Sequence, residues 1–442
     1  MQLLELLQLL LLISNTSSFE QSLIWRASKK IERIQNGDHT RAAHSFSHRL
    51  DKKVNSPYDE IFDAGDVEYA TKIAIGTPPQ EFTVALSTRF GVLVVPHPNC
   101  LGWCESKKKF FFNDSLTYVS DMYKWSMSLA GEKVSGIVAN DTVTLGGSGE
   151  GRLYVPSATV GLATAVSVNL KDAPVDGLFG LGLKSSSAKL VPILETAYNY
   201  KALEVPIFSI WLAPRAAKRT VAGAITYGGV DNAHCGPIIS SVLVNSANIY
   251  KFKIRGVGMG SFRSGPNSEA VSDIGIWIRG PENDVSELAR IAGAKHNEEV
   301  DLYEIPCDAT PPAFEVYIEG YTYTVDHTNY IIQAYDGNCI FAFMPQKPPA
   351  STWLLGDPFI REYCHIYDFG SRRISFAESL TRPHPQPSPT TESTRRTTKQ
   401  QESGGTTSVR PPSATTHKGS VSVLGHARIL AAVLLPLLIT RL

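Results

Sequence analysis

Two stretches of this chain, FTVALSTRFGVLVV at 82–95 and EAVSDIGIWIRGP at 269–281, follow one plan: an apolar strand runs into a short turn. Each is followed, many residues later, by two apolar residues and a glycine. These are Leu178-Phe179-Gly180 in the first case and Leu354-Leu355-Gly356 in the second. A unit that occurs twice in this order implies a body with two similar halves. The chain from 67 to 377 agrees. It consists of short runs rich in Val, Ile, Thr, Tyr and Phe, such as FEVYIEGYTYTVDHTNYII, broken by Gly, Pro, Asn and Asp. That spacing predicts an all-β body with few short helices. The segment SAKLVPILETAYNY at 187–200 is the exception, with apolar residues at helical spacing and Ser187 as a candidate cap.

The flanks differ from this body. Residues 1–18 hold a short apolar run, interrupted by Glu5 and Gln8 and followed by small polar residues, the layout of a secretory signal peptide. Residues 19–66 are polar and basic and read as a pro-segment or a flexible lead. Residues 379–420 are rich in Thr, Ser and Pro and lack the apolar surface needed to fold, so they read as a stalk. Within 421–442 an apolar run falls short of the ~20 residues a spanning helix needs. With small residues and a polar spacer upstream, it has the layout of a glycolipid-anchor signal. This order predicts a chain in the secretory pathway, extracellular and anchored at the cell surface. Asn113-Asp-Ser and Asn140-Asp-Thr are candidate glycosylation sites on the body.

Lys plus Arg number 42 and so do Asp plus Glu, so net charge is zero and nothing recommends nucleic acid as a partner. The run Lys107–Lys109 reads as a solvated loop. An even count of 6 cysteines in a secreted chain predicts full disulfide pairing, with the connectivity open. Cys100 and Cys104 are close enough to close a small loop, and Cys307 with Cys339 would bracket a hairpin. No Cys-x-x-Cys or Cys/His pair has zinc spacing, so no metal is expected. The usual nucleophile elbow, zinc-protease and phosphate-loop motifs are missing, and GVGMGS at Gly256 is only a near miss to a dinucleotide loop.

Further pieces sharpen the duplicated plan: IGTPPQEFTV from Ile75, FNDSLTY, VDGLFGLGL, FSIWL, TYGGVD from Thr226, LLGDPFIREY and YDFGSRRISFA from Tyr367. Together and in this order they make 67–377 resemble a pepsin-like aspartic peptidase. The resemblance implies a two-lobed acid-protease fold with lobes at 67–203 and 204–378. Each lobe would be a Greek-key-like β-barrel, with a cleft between the two. It implies a monomer that takes a peptide or protein ligand and uses no cofactor. It also implies disulfides Cys100–Cys104 and Cys307–Cys339, with Cys235 left to pair with Cys364.

Members of that family carry Asp-Thr-Gly at each turn. Two carboxyls meet across the cleft and share one proton, because like charges so close cannot both ionise. One acts as base on a water and the other as acid on the peptide carbonyl oxygen. Matched by position, the second turn here is Asp273-Ile274-Gly275, with isoleucine replacing the threonine. A register shifted by one would put Ser272 in the aspartate's place, but AVSDIG fits better unshifted. The first turn is Ser87-Thr88-Arg89, so serine replaces the acid and arginine the glycine. No His or Lys is placed by the sequence to activate Ser87. Arg89 is expected to strain the turn's backbone, or to pair with Asp273 and lower its pKa. The tyrosine position of the family's flap falls on Leu129.

The leading expectation is therefore a degenerate aspartic peptidase that binds peptide without cleaving it. One alternative is an active, divergent acid endopeptidase, with Asp176 or Asp231 nominally supplying the second carboxyl. Another is a structural or decoy surface protein that ignores the cleft.

Overall fold

The strand Gln80–Ser87 buries Phe82, Val84 and Leu86 on one face, as period-two alternation requires. Ala85 is also fully buried, because the second half of this strand is covered on both sides. Each such Val or Leu stabilises the fold by roughly 1.5–3 kcal/mol. Gln80–Ser87 pairs antiparallel with Tyr69–Ile75 and parallel with Gly177–Gly180. Beyond Gly177–Gly180 come Leu93–Gly102, Leu153–Val166 and Glu132–Leu145. Glu132–Leu145 returns to pair with Tyr69–Ile75, which closes a six-strand barrel.

The computed structural model describes residues 18–25, 69–129, 132–146, 152–166, 175–183, 189–214, 222–335, 338–381 and 388–389. The fold is all-β and two-lobed, of the pepsin-like kind. Beside the barrel, the sheet continues through Phe19–Trp25, Gly223–Tyr227, Ile207–Leu212, Tyr363–Asp368, Arg373–Ser379 and Cys235–Leu243. Three smaller sheets complete the C-terminal half. All six cysteines are paired, as Cys100–Cys104, Cys235–Cys364 and Cys307–Cys339.

Several expectations change here. Part of the 19–66 segment, expected to be a pro-segment or a flexible lead, forms a strand. Phe19–Trp25 lies inside the large sheet, between Gly223–Tyr227 and Tyr69–Ile75, with Leu23 fully buried. Buried Gln21 accepts a hydrogen bond from the Tyr227 hydroxyl at 3.0 Å and donates to the Lys72 carbonyl at 2.5 Å. Alternation in so short a run is too slight to mark a strand by itself.

The helix expected at 187–200 spans Ile193–Asn199 and follows Pro192, which supplies no side-chain cap; Ser187 lies outside the described residues. A longer amphipathic helix, Glu282–Ala292, buries Val285, Leu288, Ala289 and Ala292 and ends on Gly293 in the left-handed conformation. The folded body also runs past 378. The Leu380 N–H donates to the His234 carbonyl, and Ser388–Pro389 pairs with Tyr321–Val325. The segments expected to be a signal peptide, a lead, a stalk and a hydrophobic tail lie mostly outside the described residues. Among the described residues no helix is long and apolar enough to cross a membrane.

Candidate active site

The two strand-and-turn units converge through the two glycine segments. Gly177–Gly180 runs parallel to Gln80–Ser87 with Gly180 opposite Ser87. In the second half Thr352–Leu355 runs parallel to Ser268–Ser272 with Leu355 opposite Ser272. Glycine is needed at both crossings. A Cβ on Gly180 would lie 2.1 Å from the Phe90 carbonyl oxygen, and one on Gly356 would lie 2.3 Å from those of Gly275 and Trp277. Backbone bonds then hold each turn: Leu181 N–H to Ser87 O at 2.7 Å, and Asp273 N–H to Leu355 O at 3.3 Å.

These strands bring Ser87 and Asp273, 186 positions apart, into contact. Asp273 Oδ1 accepts from Ser87 Oγ, the Thr88 N–H and Thr88 Oγ1, each at 3.0 Å. Thr88 Oγ1 also lies 2.7 Å from the Ser272 carbonyl oxygen, and the Arg89 N–H donates to Ser87 Oγ at 3.2 Å. Asp273 Oδ2 faces Arg89 Nε at 3.9 Å, the outer edge of an ion pair. Among the described residues no second carboxyl is hydrogen-bonded to Asp273.

Two expectations about Arg89 are corrected. Its φ is not positive, so the turn accepts a side chain there without left-handed strain. The Asp273 pKa is raised above its ordinary value rather than lowered. Burial, which disfavours the charged form, outweighs the opposing pull of Arg89 and the hydrogen bonds from Thr88 and Ser87.

Ile274 is buried in the core and has no hydroxyl to offer the first turn. Gly275 opens on free space: a Cβ added there meets nothing within 4 Å. Its N–H donates to Asp357 Oδ1 at 2.8 Å, and its carbonyl accepts from the Asp357 N–H at 2.7 Å. Leu129 ends the strand Lys124–Leu129 opposite Glu132, beside the hairpin tip; its side chain lies outside the described residues. Asn113 is exposed and Asn140 half-buried within Glu132–Leu145. Asp176 accepts from the Thr83 and Lys108 N–H groups, and Asp231 serves its own turn and His234.

A second polar group lies behind the turn and was not foreseen. Ser272 Oγ is 2.7 Å from His365 Nδ1 and 2.8 Å from the Tyr367 hydroxyl, all buried. A histidine does accompany a serine, but the serine is Ser272 and both side chains are fully buried. Only the sheet, not the spacing, places His365 there. Burial pushes the His365 pKa down to about 3. A depressed histidine gives stability that is complete above the ordinary 6.5 and is lost as pH falls toward about 3, because the unfolded chain takes up the proton first. His365→Gln is expected to flatten that acid limb in urea unfolding measured across this range. An unchanged limb would show that His365 does not govern it.

Similarity to known proteins decides the lineage. The family model described as Eukaryotic aspartyl protease matches residues 68–379. The chain belongs to the aspartyl protease family. Aspartic protease 6 of Caenorhabditis elegans is 36% identical over 379 residues, covering 83% of this chain and 97% of that protein. Cathepsin E-B of Xenopus laevis is 28% identical, covering 74% of this chain and 83% of its own length. Pepsin A of Rhinolophus ferrumequinum is 28% identical, covering 71% and 81%. The aspartyl protease match includes both turns and both glycine segments. The Ser87–Asp273 contact therefore lies within the family's own framework.

Proposed function

We propose that this aspartyl protease homologue does not hydrolyse peptides and instead binds them in its cleft while displayed at the cell surface. Ser87 carries the reading. It stands where the family's first carboxyl would face Asp273, and a hydroxyl cannot hold the shared proton that the single-step reaction needs. Arg89 adds a second obstacle, since a cation beside the pair favours the ionised carboxylate. The polypeptide scaffold around the turns is kept, and the open space over Gly275 leaves room for an extended ligand. Display at the surface rests on the sequence of the two ends.

One experiment on cells displaying the full chain addresses both parts. A fluorescent peptide library is expected to bind those cells, to lose most binding on Gly275→Trp, and to lose it again when a phosphatidylinositol-specific phospholipase releases the protein. Binding unaffected by Gly275→Trp would rule out the cleft, and protein retained after the enzyme would rule out the lipid anchor.

A further inference from the structure

The loop before Cys235 gathers three metal-ligating side chains that lie apart in the sequence. Glu20 comes from Phe19–Trp25, whereas Asp231 and His234 come from the turn leading into Cys235–Leu243. One donor atom from each lies within 4.8 Å of the others. Sequence spacing points to no metal site, since no Cys-x-x-Cys or Cys/His pair has zinc spacing, whereas Glu20 reaches Asp231 and His234 through the sheet.

The pair is held in place before any ligand arrives. Asp231 is nearly fully buried, and its Oδ1 accepts the N–H groups of Ala233 and His234, both at 3.0 Å. That leaves Oδ2 directed at His234 Nδ1, 2.7 Å away. The Asp231 N–H is bound to Ser209 Oγ and its carbonyl to the Cys235 N–H. The His234 ring lies flat on Trp211, with centroids 3.8 Å apart and planes 9° from parallel, so its orientation is fixed as well. The disulfide Cys235–Cys364 and the bond from Leu380 N–H to His234 O anchor the loop from below. Supporting contacts of this kind orient ligands at metal centres. Two carboxylates and an imidazole lie within reach of one ion, and a cation there would relieve the repulsion between the Glu20 and Asp231 carboxylates.

We propose that Glu20, Asp231 and His234 form a site for a divalent transition ion of the zinc class. One imidazole with two carboxylates is a borderline donor set, better matched to Zn²⁺ than to Ca²⁺, which takes 6 or more oxygens. On binding, the neutral imidazole carries its proton on Nε2, which leaves the Nδ1 lone pair for the ion beside Asp231 Oδ2 and the Glu20 carboxylate. No thiol competes, because all six cysteines are in disulfides. The ion would join the lead strand to the C-terminal half at a point remote in sequence from both turns.

The test uses the purified full chain, stripped with a chelator and titrated with ZnCl₂ by calorimetry while tryptophan emission is followed. One ion per chain is expected, with a change in emission. Glu20→Gln and His234→Ala are each expected to weaken binding at least tenfold with unchanged circular dichroism. Trp211→Phe is expected to keep the stoichiometry and lose the emission change. The proposal fails if the wild-type chain takes up no stoichiometric zinc, if both ligand variants bind as the wild type does, or if CaCl₂ displaces zinc at equal concentration.

Discussion

Ser87→Asp combined with Arg89→Gly is expected to raise acid-pH peptide hydrolysis on the order of 10³-fold or more above the unaltered chain, since dyad members act as a unit. The substitution puts a carboxyl where Ser87 Oγ now sits, 3.0 Å from Asp273 Oδ1. Two carboxyls at that distance cannot both ionise, so one retains a proton and the acid and base roles separate. Arg89 has to go as well. Its guanidinium lies 3.9 Å from Asp273 Oδ2 and would favour two charged carboxylates over one shared proton. Thr88, whose N–H and hydroxyl already bind Asp273, needs no change. Ile274 still lacks a hydroxyl, so the gain should fall short of a complete member of the family. Turnover of a fluorogenic peptide near pH 4, compared for the double variant and each single, measures it. A folded double variant that binds peptide without turnover would show that the lesion lies elsewhere.

Arg361→Met is expected to destabilise the protein by about 3–5 kcal/mol, the range for removing one partner of a buried ion pair. Arg361 is almost wholly buried. Its Nη2 faces Asp357 Oδ2 at 3.5 Å, its Nη1 the Asn329 carbonyl at 3.4 Å, and its Nε the Tyr69 hydroxyl at 2.9 Å. The guanidinium also lies over the Tyr69 ring, 5.6 Å from its centroid. Tyr69 belongs to the barrel and Asp357 to the segment that holds Gly275, so one side chain joins the two halves beside the site. Methionine fills much of the volume but leaves the fully buried Asp357 carboxylate without that cation. Urea unfolding at neutral pH gives the loss directly, and a change under 1 kcal/mol would contradict the role assigned to this contact.

How much of this was legible in the sequence depended on whether the signal was local or repeated. The duplicated strand-and-turn units and their glycine partners were readable because close backbone crossings admit only glycine, at Gly180 and Gly356. The pairing of Cys235 with Cys364 followed the resemblance and holds in the structure. By contrast, Phe19–Trp25 gains its place from strands on both sides, and nothing within seven residues announces that. The charged neighbour Arg89 alone argues for a lowered Asp273 pKa, whereas burial, which depends on the whole fold, sets the direction. His365 and the Glu20–Asp231–His234 group are likewise products of the sheet. Each unites residues whose spacing carries no motif.

The most direct test of the account is turnover by the unaltered chain. The purified protein is incubated with a peptide library at acid pH, with Asp273→Ala as control, and the products are read by mass spectrometry. The account predicts that both samples leave the peptides intact. Cleavage by the unaltered chain that vanishes in Asp273→Ala would contradict it.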